Sequence, residues 1–151
     1  IQSLDLLGRK VLGNNGATLK KFGKLVGALV AEEGVNEKMA EFITPIAVLG
    51  EQITKFTTEI GFKGFQNADE VGAAAVDYLR VAGHLVFGYF FARMAQVALR
   101  EIAAGNTDPF YPAKLQTARF YFAKLFPETA TLMRTARAGS KVLMDTDLAL
   151  A

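Results

Sequence analysis

The chain has no cysteine and no tryptophan, and only one histidine and four prolines in 151 residues. Without cysteine there is no disulfide, no thiolate nucleophile and no cysteine metal site. With His84 as the lone histidine, a multi-histidine metal site cannot form, and a Ser-His-Asp triad has one possible centre. Strand signals are missing too, since no segment alternates polar and apolar residues with period two, and there is no internal repeat. Charge is sparse at 21% of residues, and 17 Lys plus Arg against 15 Asp plus Glu leave a net +2. That balance is too slight to point to nucleic acid as a partner. The most apolar run, Val81 to Ala92, contains His84 and is shorter than the roughly 20 residues that span a bilayer, so no membrane span is expected. The opening Ile1-Gln2-Ser3 has no initiator methionine and no signal-peptide pattern, which predicts a cytoplasmic piece of a longer chain.

What the chain does have is apolar surface, 51% of its residues, on the high side for a free-standing domain of this size. A partner domain or subunit is expected to cover part of it. The organising stretch is Asn67 to Gly105, read as one long helix. Asn67 offers a capping side chain, Asp69 and Glu70 suit a helix N-terminus, and Gly105 suits a left-handed stop. Asp77, Arg80 and His84 share one face of it, whereas Arg93, Gln96 and Arg100 share a nearly opposite one. The helix is therefore expected to change its wet side halfway along, with a middle covered by neighbours on several sides.

Leu4, Leu7 and Val11 line one face of residues 1–12, which read as the end of a helix entering from an upstream region. A second helix, Thr18 to Glu33, carries Leu19, Phe22, Val26, Leu29 and Val30 as its stripe, with Lys20, Lys21 and Lys24 outside. Gly23 and Gly27 in it would admit another helix closely. A third helix runs from Asn36 to Ile60, with Pro45 predicting a kink or a restart near Glu41 to Thr44, and Gly61 to Gln66 reads as a connector. Asp108-Pro109 starts the last long helix, which points Tyr111, Leu115, Ala118, Phe122 and Leu125 inward. Pro127 kinks or divides that helix, and a short final one carries Val142, Leu143 and Leu148. The fold class read from this is all-α, an antiparallel bundle of four or five principal helices.

Candidates for chemistry are few. His84 with Asp77 and Arg80 could be an acid/base group, but nothing nucleophilic lies at matching spacing, and a structural histidine bonded to a carboxylate or carbonyl is the preferred reading. Gly8 to Gly13 has the glycine spacing of a phosphate loop, yet Asn14 and Asn15 stand where Lys and Ser or Thr are required. Glu32-Glu33 and Asp69-Glu70 read as a solvated face or caps, and Asp145 and Asp147 point to different sides of their helix. No metal site is expected. Between Lys114 and Lys141, six cations (Lys114, Arg119, Lys124, Arg134, Arg137, Lys141) face one acid, Glu128. The strip could receive an anionic ligand, pair with acids of the second and third helices, or stay hydrated.

The stretch Phe110-Tyr111-Pro-Ala-Lys114-Leu115-Gln-Thr117-Ala118-Arg119-Phe120-Tyr121-Phe122, followed by Leu125-Phe-Pro127-Glu-Thr129, resembles the C-terminal extension of large bacterial acyl-CoA dehydrogenases, a group that includes methylmercaptopropionyl-CoA dehydrogenases. Residues 1–10, Ala92-Arg93-Met94-Ala95, Ala138-Gly139 and Leu143-Met144 are similar to that family as well. Pro112 and the Asn14-Asn15 loop depart from its pattern. The resemblance implies that residues 1–12 continue from an absent catalytic core and that 13–151 form a C-terminal helical bundle. It also implies an FAD-dependent enzyme for the α,β-dehydrogenation of an acyl-CoA thioester, whose catalytic glutamate lies in a motif absent from this chain. No catalytic residue and no bound cofactor are then expected here, and the isolated chain is expected to be inactive. Gln2 would lie nearest the flavin, and Lys114 and Arg119 would be the outer contacts of an anionic substrate. The implied partners are the enzyme's own upstream domains in a homo-oligomer. A second reading is an independent helical module that holds an apolar ligand or partner helix between Phe87, Phe90, Phe91, Tyr121 and Phe122, although rings in such a pattern more often form core.

Overall fold

A computed structural model describes residues 1–14 and 16–144, and for Asn14 its backbone alone. The described residues form helices and connecting turns without a strand, packed as a bundle. The first helix, α1, comprises Gln2–Leu4 and continues through π-helical turns over Asp5–Val11. Leu7 and Val11 are buried, whereas Leu4 is exposed, because the wider turn lines up residues four apart and rotates those three apart out of line. Helix α2 spans Ala17–Glu33 and buries Val26 and Leu29, with Leu19, Phe22 and Val30 packed beside them and the three lysines outside, as its spacing predicted.

Asn36 accepts a hydrogen bond from the Lys38 amide and caps a 3-10 turn, Glu37–Met39, that leads into α3, Ala40–Gln66. Pro45 lies in the second turn of α3, so the helix loses one early backbone bond and continues unbroken. The expected connector 61–66 is helical. Neither Gly61 nor Gly64 adopts a positive φ; a Cβ on Gly61 would lie 3.2 Å from Leu12, and one on Gly64 would collide with Val71. These glycines let α3 approach α1 and α4 closely, and they do not serve as breakers.

Helix α4 spans Asp69–Ala103, and its termini follow the sequence reading. Asn67 Oδ1 accepts the Asp69 amide at 3.1 Å. At the other end Gly105, at φ 83°, closes a Schellman turn in which the Asn106 and Gly105 amides donate to the Glu101 and Ile102 carbonyls. Arg80, Arg93 and Arg100 are exposed on the two faces the sequence marks as wet, yet most of the polar residues there also reach a neighbouring helix. Asp77, Arg80 and His84 meet groups of the C-terminal helices, and Arg93 and Gln96 meet Glu32 and Glu33 of α2. The middle is covered on three sides, burying Val81, Leu85, Gly88 and Ala92, but Phe87 and Phe90 stand 59% and 60% exposed. One side of α4 is thus bare and apolar, where the sequence predicted a covered middle.

The Asp108 carboxylate caps α5, Phe110–Phe120, by accepting the Phe110 amide at 2.8 Å. Helix α5 ends in π-helical turns, Tyr121–Leu125, and Pro127 separates it from α6, Glu128–Ala136. The π-helical turns advance the buried stripe by one residue. Tyr121 and Phe126 are buried in place of Leu125, which is 47% exposed against expectation. A last turn, α7 (Lys141–Met144), leaves Val142 and Leu143 exposed, so the inward packing expected of them is not found. Leu148, Asp145 and Asp147 lie outside the described residues.

Candidate functional site

The densest polar cluster joins α4 to the C-terminal helices. His84 Nδ1 lies 2.9 Å from the Tyr121 hydroxyl, His84 Nε2 lies 3.2 Å from Glu128 Oε2, and Arg80 pairs with the other Glu128 oxygen. The Tyr121 ring stacks on Phe91 with centroids 4.3 Å apart, and burial pushes its hydroxyl up to about 12. Beside the cluster Thr135 donates to Asp77 at 2.7 Å. Each polar group here is engaged by another side chain of the bundle. The arrangement fixes the angle between α4 and α6, which is the structural reading of His84.

The basic strip does not converge. Arg119 donates to Glu41 of α3 at 2.9 Å, Arg137 donates to Glu59 of α3 at 2.9 Å and lies over the Phe56 ring, and Lys114 sits over Phe110. Arg137 holds the Glu59 carboxyl below its ordinary range, with burial opposing and Lys63 adding to the effect. Of the sequence alternatives, pairing with α3 describes Arg119 and Arg137. Lys124, Arg134 and Lys141 are exposed. Gln2 is exposed in the first turn of α1. The five aromatic residues of the second reading divide between packed and open: Phe91, Tyr121 and Phe122 stack in the bundle, while Phe87 and Phe90 face outward. They do not surround a common void.

Sequence reasoning missed a clamp between the two ends of the bundle. Glu70 accepts both the amide and the hydroxyl of Ser140, at 2.9 and 2.5 Å, and Asn67 donates to the same hydroxyl. The sequence reads Glu70 as part of a solvated face or a cap of its own helix; it holds the start of α7 instead. The signal was Gly139-Ser140, a left-handed glycine followed by a capping residue. The Ser140 side chain, then its amide, lower the Glu70 carboxyl below its ordinary value of 4.5, against the opposing effect of burial. A depressed carboxylate contributes stability that is complete above the unfolded value and is lost as pH falls through the folded one. The urea midpoint is therefore expected to fall more between pH 7 and pH 3 in the natural chain than in a Glu70→Gln variant.

An open groove between α2 and α3 has two adjoining stretches of about 730 and 670 Å³. Gly23 and Gly27 line it from α2, and Gly50 and Thr54 from α3, with Lys20, Lys24 and Lys55 at the edge. A Cβ added at Gly23 or Gly27 meets nothing within 4 Å, so the close approach expected there is left unfilled within the described chain. Among the described residues no group of three His, Cys, Asp or Glu could hold a metal ion, and no helix is long and apolar enough to cross a membrane.

These features define a helical bundle whose polar side chains hold helices together and which leaves several large apolar side chains exposed. The chain belongs to the acetyl-CoA dehydrogenase C-terminal-like family, which it matches over residues 17–147. It is 29% identical over 147 residues to a 3-methylmercaptopropionyl-CoA dehydrogenase of Ruegeria pomeroyi. The alignment covers 95% of this chain and 25% of that relative, so the chain spans about a quarter of its length.

Proposed function

We propose that this chain is the C-terminal accessory domain of an FAD-dependent acyl-CoA dehydrogenase and that it serves assembly and not the chemical step. The observation that carries the reading is the family match over residues 17–147 to a C-terminal region, in a chain that aligns with a quarter of a dehydrogenase. The arrangement of side chains supports it, because the one histidine and most of the arginines are bound up in contacts between helices. The residues present do not fit a flavin. Gln2 stands exposed in the first turn of α1, and the α2–α3 groove offers glycines, threonines and scattered lysines where an isoalloxazine ring needs an enclosed slot. No step of the dehydrogenation is assigned to this chain. In the whole enzyme Gln2 would be its residue nearest the flavin. Arg119, paired with Glu41, and Lys114, over Phe110, would be outer contacts for CoA at most.

Under this reading the apolar excess has a use. The α2–α3 groove and the bare side of α4 are surfaces for the enzyme's upstream domains and for a second subunit. The test is made on the full-length gene product, by flavin absorbance and dye-linked oxidation of a panel of acyl-CoA thioesters, with and without residues 1–151. Flavin and activity in the whole protein, and loss of assembly or activity on deletion, are expected, with no activity in the isolated chain. A full-length protein without flavin overturns the reading.

A further inference from the structure

The uncovered side of α4 has the spacing of a helix-pairing seam. Gly72, Val76, Leu79, Gly83, Val86 and Phe90 succeed one another at intervals of four, three, four, three and four residues. Gly72, Leu79 and Val86 are thus seven apart, as are Val76, Gly83 and Phe90, and that heptad spacing is the repeat that runs one helix along another. Val76 is 62% exposed and Phe90 60%, and a Cβ added at Gly72 or Gly83 meets nothing within 4 Å. Val97 continues the seam toward the C-terminal end, with Arg93 at the position between, so that it runs roughly 38 Å from Gly72 to Val97.

We propose that two copies of this chain pair through this seam, α4 against α4, antiparallel about a twofold axis beside Gly83. This rests on the assembly role proposed above and names the partner for one of its surfaces. The order of sizes along the helix selects the arrangement. The two aromatic rings, Phe87 and Phe90, lie in the C-terminal half of the seam, and Gly72 lies at its N-terminal end. An antiparallel pair about Gly83 places Val76 opposite Phe90 and Leu79 opposite Phe87 of the second copy, so these two layers have similar volume. A parallel pair would set Phe90 on Phe90 and Gly72 on Gly72, crowding one layer and emptying another. Gly83 would face its own copy at the crossing, where the absence of a side chain lets the two backbones approach.

The ends agree with this direction. Asp69, exposed in the first turn of α4, has no ion pair among the described residues. Antiparallel pairing carries it toward the second copy's last turns, where Arg93 and Arg100 lie, and sets the two helix dipoles in opposition. Val76, Val86, Phe87, Phe90 and Val97 together offer roughly 500 Å² per copy. Two such faces bury about 1,000 Å² in all, which is the size of a weak, transient pair.

The absence of cysteine makes the test clean, because each thiol introduced is the only one present. In a glutathione redox buffer, Gly83→Cys is expected to form a covalent dimer about tenfold faster than Gln52→Cys, a control on exposed α3 surface. Val76→Cys combined with Phe90→Cys should likewise cross-link, whereas Val76→Cys alone should behave as the control. In sedimentation equilibrium the natural chain should be a dimer above tens of micromolar and Phe90→Glu a monomer, with the two melting alike at low concentration where neither is paired. A natural chain that stays monomeric at several hundred micromolar, or equal cross-linking rates for Gly83→Cys and Gln52→Cys, overturns the proposal. Neither assay contains flavin or acyl-CoA. Failure here leaves the dehydrogenase reading standing, whereas failure of that reading shows in flavin content and turnover and not in these assays.

Discussion

Replacing Tyr78 by alanine is expected to cost about 3–5 kcal/mol, the range for emptying a fully buried aromatic site. Tyr78 lies at the contact of α4 with α3 and is completely buried. Its ring stacks on Phe56, with centroids 6.0 Å apart, and its hydroxyl is 2.7 Å from Thr57 Oγ1. Since Thr57 gives its proton to the Ile53 carbonyl at 2.6 Å, the Tyr78 hydroxyl is the donor of the pair. Burial raises the Tyr78 hydroxyl above its ordinary range, and the Thr57 bond opposes that shift. Two variants separate ring from hydroxyl. Tyr78→Phe keeps the ring and removes one donor, for about 1 kcal/mol. Tyr78→Ala removes both and leaves a cavity between the two longest helices. Urea denaturation should show the midpoint falling in both variants with little change in slope. If Tyr78→Ala cost no more than Tyr78→Phe, the ring would not be the centre of this contact.

The elements legible in the sequence are those whose ends carry their own chemistry. Asn67, Asp108 and Gly105 act as the sequence predicted, since a cap is decided by the residue itself and the few amides beside it. The stripe of α2 was legible for a similar reason: spacing and burial agree wherever one regular helix meets one core. What the sequence concealed depends on a neighbour. Gly61 and Gly64 look like a connector until Leu12 and Val71 are seen packed on them. Leu125 fits the inward stripe of α5 if every turn is α-helical, and the π-helical turns over Tyr121–Leu125 put Phe126 there instead. Propensity does not report such a change of register.

The polar side chains of α4 show the same limit. On the helix alone, Arg93 and Gln96 read as a wet face, because the helix says nothing of Glu32 and Glu33 waiting on α2. For the candidate site, the character of His84 was legible and its partners were not. The sequence places Asp77 and Arg80 on its face and predicts a carboxylate or carbonyl partner without naming it; the ring meets Tyr121 and the Glu128 carboxylate, more than thirty residues away in sequence. The family resemblance was carried by a linear pattern, which requires no knowledge of packing, and it fits the observed family membership. Of Gln2, Lys114 and Arg119, the two cations gain partners within the chain and Gln2 gains none that sequence could name.

Glycines on neighbouring helices should respond to substitution with opposite signs, and Gly88→Val is the sharper half of that comparison. Gly88 is buried where α4 crosses α3 and the C-terminal end of α5. A Cβ there would lie 2.9 Å from Ile46 Cγ2 and 2.9 Å from Phe126 Cε2, closer than real Cβ contacts come. Neither neighbour is free to yield, since Ile46 is fully buried and branched at its own Cβ and Phe126 is wedged beside Phe122, with centroids 5.2 Å apart. Valine adds two further carbons to that contact, and overpacking of this kind costs about 2–3 kcal/mol. At the scale of this domain that is roughly 6–10 °C of melting temperature. At Gly23, on the open side of α2, nothing lies within 4 Å of the added carbon. There alanine brings only its better helix propensity, about 0.5–1 kcal/mol of stabilisation. Calorimetry on the two variants should therefore give shifts of opposite sign. A Gly88→Val chain that melts with the natural one would mean that α3 and α4 stand further apart than their packing at this glycine requires.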